Sequence, residues 1–176
     1  MSRIVVLRMG HRFFRDSRVT THVCLTARAL GATGVIIADR RDKEVEATVR
    51  DMVERFGGTF QVETGTPWRH AIRDWKRRGG LVVHLTAYGI PLPKVVEDVR
   101  RTGSDVMVVV GSEKMPGEMF KLADWNVSVT SQPMSEVAAL AIFLDWFNGH
   151  EELDLDFPNA AIRIIPSKTE KKVLQG

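Results

Sequence analysis

Short β-branched runs alternate along the chain with longer stretches whose apolar residues recur every three or four positions. Ile4 to Leu7 reads as a strand, and Val19, Val23, Ala27 and Leu30 then mark one face of a helix over residues 20–30 that Gly31 closes. Gly34 to Ala38 is the next strand. An amphipathic helix over residues 42–56 follows on Val45, Val49, Met52, Val53 and Phe56, and stops at Gly57-Gly58. Phe60 to Val62 is a short strand, and Pro67 opens a helix that ends at Gly79-Gly80. Beyond it lie a strand over 81–85, a helix over 91–101, a strand over 105–110, a short helix begun by Pro116, a strand over 126–129 and a helix from Ser135 to Phe147. Strand and helix alternate with few hairpin signals, which predicts an α/β protein whose parallel sheet is covered by helices on both faces.

The tail breaks this rhythm. Asp154-Leu155-Asp156-Phe157-Pro158 reads as an extended linker, and Ala161 to Ile165 and Lys171 to Leu174 as the two strands of a C-terminal β-hairpin. The expected organisation is one domain over residues 1–150 and an extension over 151–176.

Three strand ends in the second half share one grammar. Leu81 to Leu85 runs into Thr86-Ala87-Tyr88-Gly89-Ile90-Pro91, Val108 to Val110 into Gly111-Ser112-Glu113-Lys114-Met115-Pro116, and Val127 to Val129 into Thr130-Ser131-Gln132-Pro133-Met134-Ser135. Buried parallel strands that break into small and polar residues place ligand sites at their carboxyl ends, so the three loops are expected to surround one small, flat molecule. No glycine-rich phosphate cradle accompanies them, which makes a dinucleotide or nucleoside triphosphate the poorer choice.

The 176 residues suffice for one domain with a real core, and 44% hydrophobic with 27% charged residues is ordinary for a soluble globular protein. No window approaches a membrane span, and cytoplasmic residence is the expectation. The single cysteine, Cys24, excludes an intrachain disulfide and a cysteine-rich zinc site; beside Val23 and Ala27 it reads as a packed thiol. No H-E-x-x-H and no carboxylate cluster suggests a metal. The net charge of +3 is unevenly spread: residues 1–80 hold 16 Lys+Arg against 9 Asp+Glu, whereas 81–150 hold 5 against 8. Arg3, Arg8, Arg12, Arg15, Arg18 and Arg28 face a single acid, Asp16, in their stretch. Such a cluster reads as a surface for a polyanion, most plausibly nucleic acid, with a solvated salt-bridged face as the alternative.

Arg15, Arg18 and His22 fall at i, i+3 and i+7, on one helical face opposite Val19, Val23 and Leu30. Phe13-Phe14, between arginines in a short loop, could stack on unpaired bases. Trp68 and Trp75, seven apart beside Ile72, read as core. Glu113 and Asn126 have ordinary readings as a helix-start carboxylate and a turn residue, and Ser135 caps the last helix.

Together, Leu7-Arg8-Met9-Gly10-His11-Arg12, Arg15-Asp16-Ser17-Arg18-Val19-Thr20-Thr21-His22-Val23, His84-Leu85-Thr86-Ala87-Tyr88-Gly89, Val110 to Pro116 and Asn126 to Leu140 resemble the SPOUT superfamily of RNA methyltransferases. Within it the likeness is to the archaeal family that methylates the ribose of tRNA cytidine 56. The resemblance implies a C-terminal trefoil knot, an exception to unknotted topology. It also implies S-adenosyl-L-methionine as methyl donor without a metal, a homodimer, and tRNA as substrate, the target being the 2′-hydroxyl of the T-loop cytidine. The donor contacts carried over are Leu85; Val110, Gly111, Ser112, Glu113 and Lys114; and Ser128, Val129, Thr130, Ser131, Gln132, Pro133, Met134 and Ser135. Leu25 stands where the general motif has its arginine, six residues before Gly31, so the catalytic role passes to Arg18, with Arg15 and His22 as alternates. Helix Val137 to Phe147 would supply the dimer seam. A non-catalytic RNA-binding module on an α/β scaffold is the competing reading.

Overall fold

Six strands form one parallel sheet in the order β3-β2-β1-β5-β4-β6. They are β1 (Ile4–Met9), β2 (Gly34–Ala38), β3 (Gln61–Thr66), β4 (Leu81–Pro91), β5 (Val106–Gly111) and β6 (Trp125–Ser128). The helices between them are α1 (Ser17–Ala29), α2 (Lys43–Phe56), α3 (Trp68–Arg77), α4 (Leu92–Arg101), α5 (Gly117–Leu122) and α6 (Glu136–Asn148). This is a computed structural model, and it describes residues 2–111 and 114–176.

The alternation of side chains along each strand divides the core in two. Ile4, Val6, Val35, Ile37, Val83, Val106, Val108 and Val110 point to the face covered by α1, α2, α4 and α6. Val5, Leu7, Met9, Ala38, Val82, Met107 and Val109 point to the face covered by α3 and α5. Burial on both faces explains why β1 and β5 read as unbroken apolar runs, since a strand covered twice has no position to spare for water. Trp68 and Trp75 are core, as expected, and Trp75 Nε1 donates to the Leu81 carbonyl at 3.0 Å.

Several boundaries move. Strand β1 continues two residues past Leu7, because Arg8 and Met9 keep pairing with Val110 and Gly111 of β5. Helix α1 begins at Ser17, so Arg15 lies in the turn ahead of it instead of on its face. Val19, expected in the apolar stripe, is 39% exposed. Strand β3 runs Gln61–Thr66, later than Phe60 to Val62. The largest difference is β4, which does not end at Leu85: Leu85 pairs with Val127, residues 86–89 bulge, and Ile90 pairs with Val127 again. Gly89 passes so close to β6 that a Cβ would stand 2.5 Å from Val127 backbone atoms, a spacing only glycine tolerates. The tail does form an antiparallel hairpin, β7 (Ile162–Ile165) with β8 (Lys172–Gln175), and a 3₁₀ turn over Glu151–Asp154 leads into it.

A buried polar chain ties β1 to three helices. Arg8 follows Ile4 and Val6 in the strand's alternation, so its guanidinium is driven under α1 and α6 with no exposed surface. There Nη1 stands 3.0 Å from Glu136 Oε1 in the first turn of α6, and Nε donates to Thr20 Oγ1 of α1. His11 Nδ1 lies 2.8 Å from the same Thr20 hydroxyl, and its Nε2 lies 2.9 Å from Asp42 Oδ2. The other oxygen of Asp42 accepts from Glu44 N and Val45 N, which caps α2. Burial alone would raise the Asp42 pKa, but the Val45 amide and His11 outweigh it and hold the carboxyl below its ordinary value.

Removing one charge from a buried pair strands the other. Arg8→Met is therefore expected to cost about 3–5 kcal/mol in denaturant unfolding, and Arg8→Met with Glu136→Leu to recover most of that loss. Equal losses in the single and double variants would show that the pair is not what stabilises this junction.

Candidate active site

In a parallel sheet the strands run to one edge, and here the bulge of β4 and the ends of β5 and β6 surround a cleft of about 310 Å³. Its walls are Leu85, Thr86 and Ala87 at the bulge of β4, Val110 and Gly111 at the end of β5, and Val129, Thr130, Gln132, Pro133 and Met134 just after β6. Glu136 and Ala139 of α6 complete it. The first and third of the expected loops share one pocket, and Gly111, where the second begins, lines it with them. Of the expected contacts, Ser128 is buried, while Lys114, Ser131 and Ser135 are exposed, and none of these four lines the cleft. Ser135 does cap α6, its Oγ accepting from Val137 N. Ser112 and Glu113 lie outside the described residues.

Local chemistry sets the third loop. Thr130 Oγ1 accepts from Gln132 N, bending the chain immediately after β6, and Pro133 cannot continue a strand. Asn126 is more than a turn residue: it lies 2.9 Å from His84 Nδ1 and donates to the Phe120 carbonyl, joining β4, β6 and α5 behind the cleft. Burial lowers the His84 pKa, with Asn126 opposing, so this ring is neutral packing at neutral pH.

The turn after β1 leaves the sheet beside the β5 loop, because Met9 is in register with Gly111. That turn carries Arg15 and enters α1 with Arg18 and His22, all three exposed. The cationic set is narrower than six, however. Arg8 is sealed inside, and Arg28 is buried, donates to the Phe56 and Gly57 carbonyls, and lies 4.3 Å from the Phe157 ring centroid. Arg3 sits at the opposite end of β1, over Trp75. Arg12 pairs with Asp16, holding that carboxyl below its usual range. Of the six, Arg15 and Arg18 remain as cations facing water at the edge that carries the cleft.

Arg8, His11 and Glu136 were not singled out as site residues by sequence reasoning. Period-two alternation does put Arg8 on the face of Ile4 and Val6, a signal that a buried arginine awaits a partner; nothing in the sequence names Glu136 as that partner. Cys24 is buried and its thiol pushed up to about 12 by desolvation, which excludes a nucleophilic role at neutral pH. Among the described residues no group of three or more His, Cys, Asp or Glu could hold a metal ion, and no helix is long and apolar enough to cross a membrane.

A larger groove of about 980 Å³ runs beside β2, β3 and α3, lined by Arg3, Gly34, Gln61, Thr66 and Trp75 among others. It arises where the sheet extends beyond the cover of α3. Convergent strand-end loops are absent there, so the smaller cleft is the better site.

A family model described as tRNA ribose 2′-O-methyltransferase, aTrm56, matches residues 56–174. A tRNA (cytidine(56)-2′-O)-methyltransferase from Methanopyrus kandleri is 52% identical over 171 residues, 97% of this chain and 96% of its own. One of the same description from Methanoregula boonei is 54% identical over 169 residues, covering 96% and 95%. Among solved structures, the TrmH/SpoU tRNA modifying enzyme of A. aeolicus superposes with a TM-score of 0.60 at 14% identity, over 86% of this chain and 77% of that one. The SpoU methyltransferase AviRb from Streptomyces viridochromogenes, in complex with AdoMet, gives 0.59 at 18% identity, over 83% and 56%. At such identities the two structures speak for the fold alone, whereas half-identity along nearly the whole length speaks for descent: the chain belongs to the aTrm56 family of tRNA ribose 2′-O-methyltransferases.

Proposed function

We infer that this protein methylates the 2′-hydroxyl of cytidine 56 in tRNA, with S-adenosylmethionine as donor. The observation that carries the reading is the single cleft made by three strand-end loops in a chain of this family. Leu85, Val110, Val129 and Met134 offer apolar surface to an adenine ring, and the strand-end backbone offers donors and acceptors to its edge. Glu136, its Oε1 paired with Arg8, closes the cleft at the first turn of α6. The donor, when bound, supplies an electrophilic methyl group on a sulfonium. The residues proposed to hold it are Leu85, Val110, Gly111, Val129, Thr130, Gln132, Pro133 and Met134; Ser112, Glu113, Lys114, Ser128, Ser131 and Ser135 enter the proposal from the family motifs alone.

A ribose hydroxyl is a poor nucleophile, so the protein must align it behind the methyl and stabilise charge as its proton leaves. Arg18 is proposed for that role, because a guanidinium stays protonated, orients the ribose and meets the emerging oxyanion. Arg15 and His22 are the alternates, His22 because an imidazole nitrogen, unlike a guanidinium, offers a lone pair to a proton. No step calls for a metal.

Three finer features belong to the same proposal. The C-terminal third of the SPOUT domain, residues 1–150, threads into a trefoil knot, for which the tight passage of Gly89 against Val127 is the supporting contact. Residues 151–176 act as an extension. The protein works as a homodimer through α6, where Ile142 and Trp146 are 40% and 43% exposed on an otherwise apolar helix. Cytoplasmic residence goes with a tRNA substrate.

Incubation of tRNA transcript with labelled donor is expected to place label on the ribose of cytidine 56; RNA binding without methyl transfer would favour the non-catalytic module instead. Arg18→Ala should lower turnover by about 10²-fold or more while calorimetric donor affinity stays within about twofold. Trp146→Glu should shift sedimentation from dimer to monomer, since a charge at the centre of an apolar seam has no partner there.

A further inference from the structure

Ahead of α1 the chain makes a turn with a positive φ at its centre, on a side chain that stands in solvent. The Arg15 amide donates to the Phe13 carbonyl at 2.7 Å, an i to i+2 closure around Phe14, and Phe14 has φ 60°. Three-residue turns with a positive φ at the centre are rare, and a bulky L-residue there is strained. Burial does not offset the strain, because the Phe14 side chain is 88% exposed.

The turn is nonetheless braced on both sides. Asp16 Oδ2 accepts from Arg12 N at 3.0 Å and from Arg12 Nε at 2.9 Å, and the Asp16 amide donates to the Arg12 carbonyl. The Phe14 ring meets Phe13 edge-on, with centroids 5.5 Å apart, and Phe13 in turn stands 6.5 Å from the ring of His11. His11 is fixed by Thr20 and Asp42. The result is an outward aromatic ring on a rigid mount, between the exposed Arg15 and the end of β1.

We propose that Phe14 is a tRNA-stacking residue, a platform for one unpaired base of the substrate next to the ribose that receives the methyl group. This rests on the function proposed above. A nucleic-acid occupant suits the surroundings: Arg15 and Arg18 can take backbone phosphates while the ring takes a base face. A second copy of the chain suits them less, because seams between protein copies exclude charge at their centres, and the exposed apolar pair Ile142 and Trp146 lies on α6. Strain held in place at a surface that only a ligand uses is the pattern of a binding residue.

The decisive variant is Phe14→Gly, which relieves the positive φ and deletes the ring. It should melt at a higher temperature than the parent protein, yet raise the KM for tRNA about tenfold, with donor KM unchanged. Phe14→Ala should raise KM for tRNA similarly, and Phe14→Trp should restore it. A tRNA KM within twofold of the parent in both deletions would overturn the proposal, as would a drop of either variant to a monomer in sedimentation, which would assign the ring to a partner copy. The parent protein in the same assay keeps the two readings apart: if it fails to methylate tRNA, the function is wrong; if it methylates and Phe14 is indifferent, only the stacking role is.

Discussion

A guanidinium sealed from water must find a counter-charge, and the pairing of Arg8 with Glu136 decides how the two halves of the site meet. Arg8 is on β1, the strand that leads into the cationic turn and α1; Glu136 is in the first turn of α6, the helix that follows the last cleft loop. One ion pair thus spans the side that offers arginines and the side that offers a cleft. Thr20, His11 and Asp42 extend the same chain of contacts to the heads of α1 and α2. Because half-satisfied buried polar networks are costly, this one restricts how α1, α2 and α6 can sit relative to β1.

The cleft itself gathers residues from three neighbouring strands and the start of α6. Strand ends of a parallel sheet expose amides and carbonyls that lack a next partner, and three such ends brought together make a polar rim around apolar walls. Contacts to such main-chain groups place few demands on the neighbouring side chains. The opposite holds for the reaction. Aligning a ribose hydroxyl and meeting the charge that develops as its proton leaves for solvent calls for a particular side chain at a particular place, the role proposed for Arg18 at the head of α1, to which the β1 turn leads.

Rigidity and exposure are combined in that turn. Arg12 and Asp16 lock it, His11 anchors it from beneath, and Phe14 is presented outward at a cost in backbone conformation. A chain selected for stability alone would place glycine at such a position. The stacking role proposed for Phe14 accounts for this, since a binding surface is complementary to something outside the fold and local sequence rules do not read that.

The amino-acid sequence by itself determined the order and type of the strands and helices, the parallel sheet, the helices on both faces, the tryptophan core and the three loops that share a cleft. These follow from periodicity and from turn residues, which act between near neighbours. The family motifs added the chemistry. Only the tertiary structure decided which arginines are available: Arg28 reads like Arg15 and Arg18 in sequence, and the alternation that turns Arg8 inward names no partner, yet partners more than a hundred residues away or across a helix junction bury both. It alone also decided that β4 passes its expected end to pair with β6 a second time, since that contact joins segments some forty residues apart and depends on backbone clearance at Gly89. Short-range pattern is encoded locally, whereas burial and charge pairing are properties of positions that the chain brings together only when it folds.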